Sequence, residues 1–201
     1  TLLTADTPTY TLKLPLSKKE VTFRPFRVKE EKILLLAMES DEPTEMYHAL
    51  KNLMDSCSGI DSGSLPLLDI EYLFINIRAR SIGEIVEPLI NCPVTKKKIP
   101  LKVDLTKVKP PNTNNILSNK VQLSENVGVT LRYPTINHLI KNKLTDNDMM
   151  GTENIINMVA SCIEEIYTKE EIFKCDEIIP EEIIEFVESM SAENFEKISS
   201  F

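Results

Sequence analysis

The chain has 201 residues, 42% of them hydrophobic, with 31 acidic and 23 basic side chains for a net charge of −8. That length and apolar content suffice for one sizeable core or two small ones, while no apolar run approaches the roughly 18 to 20 residues that would span a bilayer. The start lacks a basic stretch followed by an apolar one, so the expected setting is a cytoplasmic product outside any membrane.

In chain order, residues 10–14 alternate through Tyr10, Leu12 and Leu14, and residues 20–26 do so again through Val21 and Phe23, which predicts a β-hairpin that Pro25 ends. Residues 29–39 then change to a helical period. Ile33, Leu34, Leu36 and Ala37 are expected on the core side, and Glu30, Glu31 and Lys32 in a solvated first turn. A second helix is expected over about residues 43–56, with Pro43 in its first turn and Met46, Tyr47, Leu50, Leu53 and Met54 at helical spacing. The Gly and Ser cluster at 58–64 reads as a loop.

Residues 65–84, LPLLDIEYLFINIRARSIGE, form the most informative stretch. At 100° per residue Leu68, Tyr72, Ile75 and Ala79 make one apolar stripe, and Ile70, Leu73, Phe74 and Ile77 another on the far side. A helix with two apolar stripes needs cover on two sides, so this one is expected to be central. Glu71, Arg78 and Arg80 are its candidate orienting groups.

After Gly83, a strand over 84–91 and an alternating stretch over 99–105 predict a second hairpin, with Lys96, Lys97 and Lys98 at its tip. The Pro and Asn break at 107–118 reads as a linker between a hairpin-and-helix subdomain, 1–106, and a hairpin followed by an acidic helical subdomain, 119–201. Charge changes there too: 16 basic and 15 acidic residues precede position 111, and 7 and 16 follow it, a net of −9 for the second part.

Residues 120–123 and 127–133 predict a third hairpin. Helices follow over 135–144 and from Thr152, the latter burying Ile155, Ile156, Val159, Ala160 and Ile163. Residues 166–175 fit a short hairpin or an irregular packed loop. Pro180 starts a helix that turns Ile183, Ile184, Phe186, Val187 and Met190 inward, and Ser191 starts a last short one. The fold class is α+β: β-hairpins packed against helices, with a more helical, acidic C-terminal half.

No catalytic constellation stands out. Neither a GxGxxG nor a GxxxxGK[ST] sequence is present, and GIDSG at 59–63 has its serine one place too late for a nucleophile elbow. His48 and His138 are far apart, and the four cysteines form no CxxC pair, so no metal or cofactor is expected and the thiols read as reduced. Adjacent carboxylates such as Glu164-Glu165, Glu170-Glu171 and Glu181-Glu182 point in different directions on a helix and read as solvated. An acidic second half repels phosphates, so nucleic-acid binding is disfavoured and a basic protein partner favoured. Candidate partner contacts are Phe23, Arg24, Phe26 and Arg27 of the FRPF turn, Lys96, Lys97 and Lys98, and Phe186 and Phe195.

Three stretches, FRPFRVKEEK at 23–32 with the ILLLAMES after it, LPLLDIEYLFINIRARSIGE, and EEIIEFVESMSAENFEKISSF at the end, together resemble the baseplate proteins of T-even-type contractile-tailed phages, in particular their hub-subunit or hub-assembly group. The resemblance implies a late, non-catalytic structural or morphogenetic protein of the tail baseplate hub. It would be made in the host cytoplasm and bind other tail and hub proteins, with the tape-measure protein as a further candidate. An assembly chaperone that leaves before the virion is complete is the alternative, and a hub-associated peptidoglycan hydrolase the rival from another class.

Overall fold

A computed structural model of the chain describes residues 7–42, 44–110, 118–143 and 151–201, and among these it contains seven α-helices and ten β-strands, the strands all antiparallel. Pro43 and most of the 107–118 and 144–151 connections lie outside the described residues. The chain forms two compact units, Thr1–Ser40 with His48–Thr113 and Asp41–Tyr47 with Asn114–Phe201.

The first unit begins with a hairpin of β1 (Tyr10–Lys13) and β2 (Glu20–Phe23), in register Tyr10↔Phe23 to Lys13↔Glu20. Val21 and Phe23 are buried while Glu20 and Thr22 are exposed, the period-two pattern of a sheet with one wet face. The ladder stops before Pro25, as its missing N–H requires. Helix α1 (Val28–Met38) follows, then α2 (Glu45–Ser58), which buries Leu53, Met54 and Cys57.

Helix α3 (Leu67–Ser81) is the central element. Ile70, Leu73 and Ile77 are buried, and Leu68, Tyr72, Phe74 and Ile75 of both stripes are at least half covered. It is fixed by polar ties as well. The Asp69 carboxylate is fully buried and accepts the Leu16 and Ser17 N–H groups, and the Ser81 hydroxyl accepts the Phe26 N–H at 2.9 Å while donating to Ile77 O. Arg78 donates to Gly83 O at 3.1 Å, and Arg80 pairs with Glu84 at 3.2 Å and covers the Tyr10 ring, whereas Glu71 is exposed.

Helix α1 departs from its expected orientation. Glu30, expected in a solvated turn, is buried, and Ile33 and Leu36, expected inside, are exposed. The cause is a polar anchor: Glu30 accepts from the Arg24 guanidinium at 2.9 Å and from the Arg27 N–H at 2.7 Å. Burial alone would raise the Glu30 pKa, but these donors hold it below the ordinary 4.5. The helix is thereby turned so that Glu30, Leu34 and Ala37 face inward, at i, i+4 and i+7.

The expected second hairpin is a two-stage ribbon. β3 (Ile85–Val86) pairs with β6 (Val103–Asp104), and beyond a break β4 (Leu89–Asn91) pairs with β5 (Lys98–Pro100). Pro88 and Pro100 flank the break, and Pro88 O still accepts the Leu101 N–H at 2.9 Å.

The second unit has a four-stranded sheet in the order β10-β9-β8-β7, made of β7 (Lys120–Gln122), β8 (Val127–Leu131), β9 (Ile163–Thr168) and β10 (Ile172–Lys174). The stretch left open between a hairpin and a loop is therefore a hairpin, β9 with β10. Helices α4 (Ile136–Lys141), α5 (Thr152–Cys162), α6 (Pro180–Glu188) and α7 (Ala192–Ser199) complete it. Ile163, expected on the helix, is the first residue of β9 but is fully buried; Glu164 and Glu165 consequently lie on a strand. Val129, Leu131, Val159, Ala160, Ile163, Ile183, Val187 and Ile198 form one apolar cluster, with Phe186 and Phe195 packed at its margin.

Candidate functional site

The ribbon of the first unit is the most unusual surface of the chain. Leu89 and Ile90 are consecutive, so their side chains leave opposite faces of β4, and both are exposed, at 64% and 44%. Ile99, across from Ile90, and Leu101, just past β5, are exposed too. A two-stranded ribbon with neither face covered is marginal by itself, and its exposed aliphatics make it the candidate contact surface.

The ribbon ends in a tight turn. Cys92 N–H donates to Lys97 O and Lys96 N–H to Cys92 O, both at 2.9 Å, and Lys96 adopts φ 58°. Val94 projects from the turn at 86% exposure, beside the exposed Lys96, Lys97 and Lys98. The Cys92 thiol sits below its ordinary pKa because the Thr95 hydroxyl and the Thr95 and Val94 N–H groups lie against its sulfur. Helix α1 adds a further apolar surface, since Val28, Leu35, Leu36 and Met38 are exposed.

The FRPF turn lies elsewhere. Phe23 and Phe26 are buried, Arg24 is occupied by Glu30, Pro25 O and Ser56 O, and Arg27 is exposed with Thr7 as a partner. Phe186 and Phe195 are half-buried in the second unit. Three parts of the chain thus hold the sequence-derived candidates, and only Lys96, Lys97, Lys98 and Arg27 are exposed among them.

The second unit also contains a cavity of about 360 Å³ that no sequence signal announces. Its floor is aliphatic, from Ala160, Ile163, Ile178, Ile183 and Ile184, and Ile179 stands at its mouth, 58% exposed. The wall is polar. Arg132 grips Asp176 with two nitrogens, at 2.9 and 3.2 Å, and donates from Nε to Ser161 O, so its charge and geometry are spoken for. His138 accepts the Thr135 N–H at Nδ1, leaving its proton on Nε2, and burial pushes its pKa down to about 4, with Arg132 adding to the effect. Asn142 presents a buried amide nitrogen with no acceptor. These residues come from the end of β8, from α4 and α5 and from the segment before α6, too far apart in sequence to form a motif.

Among the described residues no group of three or more His, Cys, Asp or Glu side chains could hold a metal ion, and no helix is long and apolar enough to cross a membrane. The fold is mixed α+β, with exposed apolar side chains on the ribbon and on α1. Residues 7–201 match the family model described as T4 bacteriophage base plate protein, and the chain belongs to that family. No curated protein and no solved structure matches it.

Proposed function

We propose that this chain is a non-catalytic structural or morphogenetic component of the baseplate hub, made in the host cytoplasm and acting through contacts with other hub proteins, with the tape-measure protein as a further partner. Membership of the base plate family supports a baseplate role. The observation that carries the contact role is the ribbon, whose Leu89, Ile90, Ile99 and Leu101 are uncovered on both faces. Burying such side chains against a partner contributes about 25 cal/mol for each Å² removed from water. The break at 107–118 serves in this reading as the joint between a hairpin-and-helix part, 1–106, and a more acidic part, 119–201.

The test is incorporation into tails. Leu89→Ser with Ile99→Ser should leave the purified chain folded, because neither residue is buried, and should stop its co-purification with baseplate intermediates. Retention of the variant in those intermediates would sink the ribbon's role. Mass spectrometry of finished virions then separates a resident hub component from an assembly chaperone, which would be present in intermediates and missing from particles. Peptidoglycan cleavage by the isolated chain would overturn the non-catalytic reading.

A further inference from the structure

The cavity of the second unit combines three properties. It is large enough to take a side chain with its flanking backbone and falls within the size range of ligand pockets. Its floor is aliphatic, and Ile179 continues that surface to the mouth. Asn142 is one of its lining residues, and its amide nitrogen is closed to water and has no acceptor, a costly arrangement that a carbonyl oxygen would relieve once the side chain turns toward the cavity. Glu177 in its lining and Glu181 and Glu182 just past Pro180 are exposed and give that side of it negative charge, while the exposed Lys141 lines it from α4. An occupant of matching chemistry has a small aliphatic side chain, free main-chain carbonyls and positive charge.

The tip of the ribbon has all three. Val94 is the most exposed of the large hydrophobic residues described, at 86%. Within the turn the Cys92 and Lys97 carbonyls are used, but no backbone N–H is bonded to the carbonyls of Val94 or Thr95. Between residues 92 and 102 stand Lys96, Lys97, Lys98 and Lys102 and no acidic residue.

We propose that the cavity receives the ribbon tip of a second copy of this chain. Val94 enters over the isoleucine floor, a tip carbonyl accepts from Asn142, and the lysines lie toward Glu177, Glu181 and Glu182, away from Lys141 on the α4 wall. Tip and cavity are different surfaces, so the contact is head-to-tail and can propagate into rings or chains instead of stopping at a symmetric dimer. The inference is independent of the hub assignment, because the purified chain alone tests it.

Sedimentation velocity of the full chain over a range of concentrations is the measurement. The expected result is association that grows with concentration, extends beyond a dimer and weakens with salt. Val94→Asp and Ile179→Asp should each weaken it by about tenfold or more, as loss of a central interface anchor does. Both variants should fold: Val94 is solvent-exposed, and aspartate is a favourable N-cap at the start of α6, where Ile179 now caps without a side-chain bond. A mixture of the two variants restores one intact tip and one intact cavity, so it should form a one-to-one dimer and nothing larger. A chain that stays monomeric at every concentration overturns the proposal. So does association that survives Val94→Asp, or a mixture that forms no dimer.

Discussion

The Asp69 carboxylate, fully buried in the first turn of α3, accepts the main-chain N–H of Leu16 at 2.7 Å, and its second oxygen accepts that of Ser17 at 2.9 Å. One side chain thus ties the turn of the first hairpin to the central helix across more than fifty residues of sequence. It also places negative charge at the positive end of the helix dipole. Removing it strands two donors in a dry environment. Asp69→Ala should cost about 3 kcal/mol, and Asp69→Asn, which keeps one acceptor oxygen, about half of that. Urea unfolding followed by circular dichroism measures both; equal losses for the two would show that the oxygens do not act as separate acceptors.

Gly128 on β8 pairs with Tyr167 on β9, and the tyrosine ring lies directly over the place where a Cβ would stand. The contact is too close for any side chain, so Gly128→Ala must displace the ring and weaken the hydrogen bond its hydroxyl donates to the Gln122 side-chain Oε1 at 3.3 Å. A cost of about 1–3 kcal/mol is expected, the usual range for overpacking. In a Tyr167→Ala background the same substitution should be nearly neutral. The double-mutant cycle reads this coupling directly, and an unchanged cost in that background would place the strain in the backbone instead.

How far the sequence reveals the fold depends on the range of the interaction. Val21 and Phe23 on one strand, the two stripes of α3, and Ile183 with Val187 on α6 were legible because their periods of 2 and 3.6 are local. Glu30 was misplaced because its environment is set by Arg24, and a charge in a first helical turn looks solvated until a distant partner is known. Asp69 gave no signal of its contact with Leu16 for the same reason. On the ribbon, alternation at Ile99, Leu101 and Val103 predicts strands correctly but cannot say whether anything covers them. The cavity was invisible, since Arg132, His138, Asn142 and Asp176 converge only when the end of β8, α4 and the segment leading to α6 come together.

The four thiols should separate by reactivity. Burial pushes Cys57, Cys162 and Cys175 up to about 11, so at mildly alkaline pH they remain protonated and shielded. Cys92 is shifted the other way by the Thr95 hydroxyl and lies on the ribbon turn. A thiol-reactive reagent added to the native chain should therefore label Cys92 first, and Thr95→Val should slow that labelling. Peptide mapping by mass spectrometry identifies the modified residue; early labelling of Cys57 or Cys175 would contradict the burial described for them.

His138 sets a distinct pH window. Burial lowers its pKa from 6.5 to about 4 in the folded chain, and its Nδ1 is engaged as an acceptor from Thr135 N–H at 3.3 Å. Between those two values the unfolded chain binds a proton that the native chain refuses, so stability falls as pH drops from about 6.5 toward 4. A shift of that size corresponds to roughly 3 kcal/mol across the window at full effect, and to about 2 kcal/mol where solvent reaches the ring. Carboxylates cannot produce the same profile. Glu30 and Asp176 are held below their ordinary values by Arg24 and Arg132, so their contribution is present above about 4.5 and is lost only as pH falls below it. His138→Gln should flatten the upper part of the curve and leave the lower part in place, and urea midpoints taken at a series of pH values distinguish the two. A wild-type midpoint that stays constant from pH 6.5 to 5 would refute the assignment.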